Sequence, residues 1–373
     1  REDDSAGGTD ASGGGSVRGV PCISGMESGT ERIQQYRNVR EEKIMQIEVS
    51  HLVKEYKRKK NPENMLAAVG QMFRPKYEIL RAVNDINFGI EKGEAVGYVG
   101  PNGCGKSTTI KMLSGVLTPT SGKVLVGGLE PTKNRQKINK KTGIVFGNRS
   151  VLWWDVPIIE SYKVLQKLYE IPEKRFQENL EEFADIIGIR QLLGVPERQL
   201  SLGQKMRCNI AAAFLHDPEI VYLDEPTIGL DSESKLRIRE FIRQMNEERH
   251  TTFIVTSHDF QDIESLCKRI ILINHGEVVV DDGIQKIQKN YQSKKQIRFE
   301  MDQNPWMETD QFTMDGVTIL DKTPYSLVLE CEIQKVDAMA VVDQVSRACQ
   351  ILDISIQGQD IESIIREIVT ERG

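Results

Sequence analysis

Gly100-Pro101-Asn102-Gly103-Cys104-Gly105-Lys106-Ser107 fits the pattern G-x-x-x-x-G-K-[ST]. Residues of these types at this spacing can hold a polyphosphate. The glycines let successive backbone N–H groups turn inward around phosphate oxygens, and a helix that opens on the lysine adds the positive end of its dipole. Lys106 is placed to reach the β- and γ-phosphates, and the Ser107 hydroxyl to ligate Mg²⁺, with Thr108 on the same turn. A second pair of groups follows at Asp224-Glu225-Pro226, where an apolar run ends in two carboxylates. Asp224 is the candidate metal ligand and Glu225 the candidate base for an attacking water. A strand-end Asp-Glu pair by itself is usually a solvated turn; its place after a phosphate loop gives it chemistry.

These groups converge only if particular elements carry them. Ala95-Val96-Gly97-Tyr98-Val99 reads as a buried strand before the glycine turn, and Ile110, Leu113 and Leu117 read as one face of a helix after it. Ile220–Leu223 and Phe253–Val255 are further apolar strands, separated by a charged helix. Strands alternating with helices imply crossover units and a largely parallel sheet, whose carboxyl edge is where ligands bind. Ile271–Ile273 and Val278–Val280 flank Asn274-His275-Gly276 as a closing hairpin.

The rest of the chain divides by pattern. Residues 1–44, rich in Gly, Ser, Asp and Glu, show no hydrophobic period and are expected to be disordered. Met45 opens the first strand-like run, so the natural start is expected there. Residues 45–291 form the expected α/β domain, with a helical insertion at about 150–205. Residues 292–373 are expected to be a separate small α+β module, with strands at Ile297–Met301, Val317–Leu320 and Leu327–Ile333. Ala338, Val341, Val342 and Val345 share a helix face there, and a last helix capped by Asp360 buries Ile361, Ile364, Ile365 and Ile368.

Bulk properties narrow the class. At 373 residues with a net charge of −6, the chain has room for a large and a small domain and no charge excess that suggests nucleic acid. No apolar run is long enough for a membrane span, and no secretory signal is evident. The six cysteines form no CxxC pair, which suits a reducing compartment better than a zinc site or disulfide framework.

Further residues carry a family resemblance. Leu200-Ser201-Leu202-Gly203-Gln204 resembles the LSGGQ signature of ABC ATPases, Gly229-Leu230-Asp231 resembles their D-loop, and Ser257-His258-Asp259 their switch-histidine loop. With the phosphate loop and Asp224-Glu225, these motifs stand in the family's order between residues 45 and 291. The resemblance implies an α/β P-loop NTPase fold with a helical subdomain, binding ATP and Mg²⁺ and hydrolysing ATP. It implies a head-to-tail dimer, in which Ser201, Gly203 and Gln204 act on the γ-phosphate bound by the partner. His258 would hold that phosphate, and Asp231 would link the two sites. Tyr56 matches the aromatic that stacks on adenine, against the plainer reading of a packing residue at a strand end. The wording resembles single-domain subunits of exporters, with a separate integral membrane permease, at the cytoplasmic face of the cell membrane. The alternative is a soluble ABC ATPase acting on the ribosome or DNA, which usually carries a second phosphate loop or a coiled coil that this sequence lacks.

Two positions depart from the family. Leu202 stands at the third signature position in place of glycine. Asn148, after Val145-Phe146-Gly147, stands where the family has a glutamine that touches Mg²⁺. One methylene shorter, it is expected to give a weakened or re-spaced metal contact rather than a dead site. Trp153 and Trp154 follow, either as core or as part of a groove that receives the permease.

Overall fold

β3 (Ala95–Val99), β6 (Ile220–Asp224) and β7 (Thr252–Thr256) are apolar almost without interruption, and nearly every residue in them is buried. That pattern belongs to parallel strands covered on both faces. In the computed structural model, which describes residues 44–59, 77–147, 149–309 and 312–371, they lie at the centre of a six-stranded sheet. Its order is β5 (Thr142–Phe146), β6, β7, β3, β8 (Arg269–Asn274) and β9 (Glu277–Gly283). All neighbours are parallel except β8 and β9, which form the expected hairpin. Ile44–Gly373 makes one compact unit. The expected disorder of residues 1–44 falls, apart from Ile44, outside the described residues.

Successive side chains of a strand point to opposite faces, so this sheet separates two cores. Val99, Val221, Leu223, Phe253 and Val255 point to one, and Val96, Tyr98, Ile220, Tyr222 and Ile254 to the other. The second core is closed by an antiparallel sheet of β2 (Tyr77–Glu91), β1 (Met45–Lys59) and β4 (Ser121–Val126). It contributes Ile47, Leu52, Ile86 and Val124. On the same side lie α1 (Lys106–Leu113) and a short α2 (Arg135–Asn139). Leu117, expected on α1, lies past its end: the Leu117 N–H returns to the Lys111 carbonyl at 2.9 Å and stops the helix.

The first core is covered by the helical insertion, made of α3 (Ile158–Leu168), α4 (Glu173–Ile186) and α5 (Leu202–Phe214). Phe183 on α4, Phe214 on α5 and Phe241 on α6 (Ser232–Arg249) meet edge-on, with centroids 5.0 to 6.4 Å apart. The insertion therefore shares its core with the sheet. α7 (Phe260–Leu266) and α8 (Ile284–Tyr291) complete this layer.

Beyond α8, β10 (Lys294–Met301), β11 (Val317–Thr323), β12 (Ser326–Glu332) and β13 (Ile351–Gly358) form an antiparallel sheet in the order β11-β12-β10-β13. α9 (Ala338–Ala348) packs Val341 and Val345 on it, making a third core. The expectation of a wholly separate module needs one correction. α10 (Ile361–Glu371), capped by Asp360 at 2.7 Å to the Ser363 N–H, turns Ile361, Ile364, Ile365 and Ile368 away from this sheet. They join the first core, beside Ile284 and Ile287 of α8, because that amphipathic helix supplies the apolar face they need. No helix among the described residues is long and apolar enough to cross a membrane.

Candidate active site

The phosphate loop leaves β3 at its carboxyl end and turns into α1. The turn depends on Gly105, whose φ of 108° suits glycine and whose added Cβ would sit 2.4 Å from the Ala82 carbonyl oxygen. This close approach brings β2 to the loop. Lys106 is buried and folds over the loop, donating to the carbonyls of Gly100 at 2.6 Å and Pro101 at 3.2 Å. These acceptors hold the ammonium against the loop. Cys104 is buried inside the loop, and burial pushes its thiol pKa up, against the opposing effect of Lys106.

A cavity of about 350 Å³ opens above this turn. Asn102, Gly103, Gly105, Lys106, Ser107 and Thr108 line one side, and Gly147, Asp224, Glu225, Ile228 and His258 the other. β6 and β3 are not neighbours; β7 lies between them, so the carboxylates reach the cavity across it. Thr256, opposite Asp224 in register, bridges that gap. Its hydroxyl donates to Asp224 Oδ1 at 2.7 Å and accepts from the Glu225 N–H at 3.2 Å. The Ser107 hydroxyl donates to Asp224 Oδ2 at 3.3 Å. Ser107 and Asp224 thus present two oxygen ligands to one point, a donor set that fits Mg²⁺ completed by phosphate and water.

Glu225 sits on the turn after β6 with φ 56°, a left-handed conformation that is strained for glutamate. The His258 N–H donates to its Oε2 at 3.1 Å, and the His258 ring Nε2 stands 3.3 Å from Oε1. Oε1 is shielded from solvent yet makes no hydrogen bond, so this turn presents an unsatisfied acceptor beside the cavity. Burial raises the Glu225 pKa, while His258 and Lys106 pull it down and Asp224 raises it further. A carboxylate held there with a vacant lone pair is suited to take a proton from water.

The signature residues lie elsewhere. Ser201 caps α5 in a reciprocal capping box: its hydroxyl accepts from the Gln204 N–H at 3.3 Å, and the Gln204 side chain accepts from the Ser201 N–H at 2.9 Å. Gly203 has no room for a side chain, because a Cβ would lie 2.5 Å from Ser234 Oγ and 3.1 Å from Asp231 Oδ2. Asp231 itself caps α6, accepting from the N–H and the hydroxyl of Ser234, both at 2.9 Å. Those bonds hold its pKa down. None of Ser201, Gly203, Gln204 and Asp231 lines the cavity, and neither does Tyr56. Tyr56 is on β1, partly exposed, with Lys54 Nζ 5.4 Å from its ring centroid. Asn148 lies outside the described residues; the preceding Gly147 lines the cavity and its N–H donates to the Asp224 carbonyl at 2.8 Å.

Trp153 and Trp154 are exposed, at 49% and 59%, which rules out the core reading for both. Lys205 Nζ stands 4.9 Å from the Trp154 ring. Sequence reasoning missed Thr256, whose role depends on which strand lies beside β6.

The comparisons agree with this geometry. The family model for the ABC transporter matches residues 83–228, from the middle of β2 to the turn after Glu225. The chain is 31% identical over 229 residues to the ABC transporter ATP-binding protein NatA of Bacillus subtilis, covering 61% of this chain and 93% of that one. It is 37% identical over 197 residues to the linearmycin resistance ATP-binding protein LnrL of the same organism, covering 53% of this chain and 63% of that one. A dimeric ATP-binding cassette, solved in a post-hydrolysis state with ADP and Pi, superposes with a TM-score of 0.52 at 26% identity, covering 64% of this chain and 98% of that one. A strand, glycine loop and helix facing two carboxylates and a histidine, in a chain with these relatives, make one conclusion unavoidable: the protein belongs to the family of ABC transporter ATP-binding proteins, and it is an ATPase.

Proposed function

We infer that the chain drives export through a separate integral membrane permease, working as a homodimer at the cytoplasmic face of the cell membrane. The observation that carries the residue roles is the convergence of Lys106, Ser107, Asp224, Glu225 and His258 on one cavity. On ATP binding, Lys106 exchanges its loop carbonyls for β- and γ-phosphate oxygens, and the N–H groups of the loop and α1 take the rest. Ser107 and Asp224 would hold Mg²⁺, with Asn148 as a third candidate ligand. The ion supplies charge neutralisation on the phosphates. Glu225 orients a water through its unsatisfied Oε1 and accepts its proton, while His258 fixes Glu225 and the γ-phosphate. Water attacks phosphorus, the bond to the bridging oxygen breaks, and ADP and phosphate leave.

The capped, outward-facing N-terminus of α5, exposed through Ser201 and Leu202, supports a trans role for Ser201, Gly203 and Gln204 on a partner's γ-phosphate. Contacts to that phosphate would close the dimer, and hydrolysis would release it. Likeness to a resistance protein favours export over import. The exposed Trp153 and Trp154 are suited to meet the permease.

Purifying the tagged full chain from native membranes in mild detergent tests the transport reading. A polytopic membrane protein in near-equal amount is expected. Ribosomes or nucleic acid in its place would replace this reading with that of a soluble ABC ATPase. Export further requires ATP-driven uptake into inside-out vesicles and none into right-side-out ones.

A further inference from the structure

Asp262 lies on α7 and is fully buried, at 0% exposure. A carboxylate taken out of water is costly unless every lone pair is met, and here the partners are informative. Its Oδ1 accepts from Arg239 of α6, through Nε at 2.6 Å. Its Oδ2 accepts from two buried hydroxyls at once, those of Thr227 and, at 3.1 Å, Ser257. Thr227 stands two residues after Glu225, and Ser257 immediately before His258. One oxygen atom therefore ties the turn that carries the base to the loop that carries the histidine.

The same network reaches further. The Ser257 hydroxyl accepts from the Asp259 N–H at 3.0 Å, and Asp259 pairs with Lys235 of α6 at 2.6 Å. α6 is the helix that Asp231 caps. We propose that Asp262 is a positioning residue for ATP hydrolysis: through Thr227 and Ser257 it fixes the distance between Glu225 and His258. It touches neither substrate nor metal. The direct contacts between Glu225 and His258 are few, one N–H bond and one ring nitrogen at 3.3 Å. The strand ends are also joined at Thr256, but beyond that point Asp262 supplies the side-chain tie between the two loops, each of which ends a different strand.

The inference rests on the roles given above to Glu225 and His258, and the test separates the two. Thr227→Val and Ser257→Ala each remove one hydroxyl and leave the Asp262–Arg239 pair intact; Thr227→Ser restores the hydroxyl. In the full chain, each deletion is expected to lower kcat about tenfold with KM for ATP within about twofold, because turnover and not binding depends on the alignment. Thr227→Ser should match the parent. So should Arg243→Ala, which removes a peripheral tie between α6 and the end of α7, to the Ser265 carbonyl. A parent-like kcat in Ser257→Ala, or equal losses in Thr227→Val and Thr227→Ser, would overturn the proposal. If Thr227→Val does not fold, Ser257→Ala decides alone. Glu225→Gln is run alongside: parent-like turnover in that variant sinks the assignment of the base, whereas a dead Glu225→Gln with parent-like hydroxyl variants sinks only Asp262.

Discussion

His216 follows the last turn of α5, the helix that opens on Ser201, and it joins the helical insertion to the sheet. Its ring stacks on Tyr169 with centroids 4.0 Å apart, and its Nε2 stands 3.1 Å from the Thr142 carbonyl at the start of β5. The neutral ring donates there, which leaves Nδ1 buried and without a partner. A proton added to Nδ1 would have nothing to receive it, and burial holds the pKa down at about 4, from an ordinary 6.5, despite opposing pulls from the Thr142 carbonyl and Asp217. The unfolded chain takes up that proton near pH 6.5 and the folded chain does not. This stabilisation is therefore complete above pH 6.5, falls as pH drops, and stops falling below about 4. Across the whole window the loss is about 3 kcal/mol, and between pH 7 and pH 5 about 2 kcal/mol. Urea unfolding of the parent and of His216→Phe at both pH values measures it. Phenylalanine keeps the stack on Tyr169 and cannot titrate, at a cost of about 1 kcal/mol for the lost bond to Thr142. The parent should lose about 2 kcal/mol more than the variant between the two pH values. Equal losses would refute a neutral buried His216.

Three other outcomes are expected. ATPase activity should rise with pH through a midpoint above the ordinary glutamate value of about 4.3, because burial raises Glu225; Glu225→Gln should cut kcat by roughly 10²-fold or more and abolish that limb. A midpoint at or below the ordinary value would contradict the buried base. Gly203→Ala should lower stability by about 1 kcal/mol, seen as a lower thermal midpoint, since its methyl overlaps Ser234 Oγ and disrupts that hydroxyl's bond to Asp231 at the start of α6; an unchanged midpoint would mean the hydroxyl moves aside freely. Tyr56→Ala should weaken ATP binding by about fivefold in calorimetry if the ring stacks on adenine. Unchanged affinity would leave Tyr56 a surface residue of β1.

Much of the site could be read from local pattern, because its chemistry is encoded in contiguous residues. A glycine loop, a lysine and a hydroxyl must follow one another to wrap a phosphate, so Gly100–Ser107 announces itself, and the apolar runs before it and before Asp224 identify the strands. The helices of the C-terminal segment were legible for the same reason: the period of Ile361, Ile364, Ile365 and Ile368 is a property of the chain alone. What that face packs against was not legible. α10 finds α8 and the first core, and only the tertiary structure decides which apolar faces meet. Strand order was hidden likewise. That β7 lies between β3 and β6 gives Thr256 its bond to Asp224, and gives Asp262 reach to both Thr227 and Ser257. Periodicity also cannot tell an exposed tryptophan from a buried one, which left Trp153 and Trp154 undecided until their surroundings were visible. The sequence by itself singled out the groups proposed to bind phosphate and activate water, since bond chemistry is local. The fold decided how far apart those groups stand and what holds them there, since distances between residues remote along the chain are set by packing.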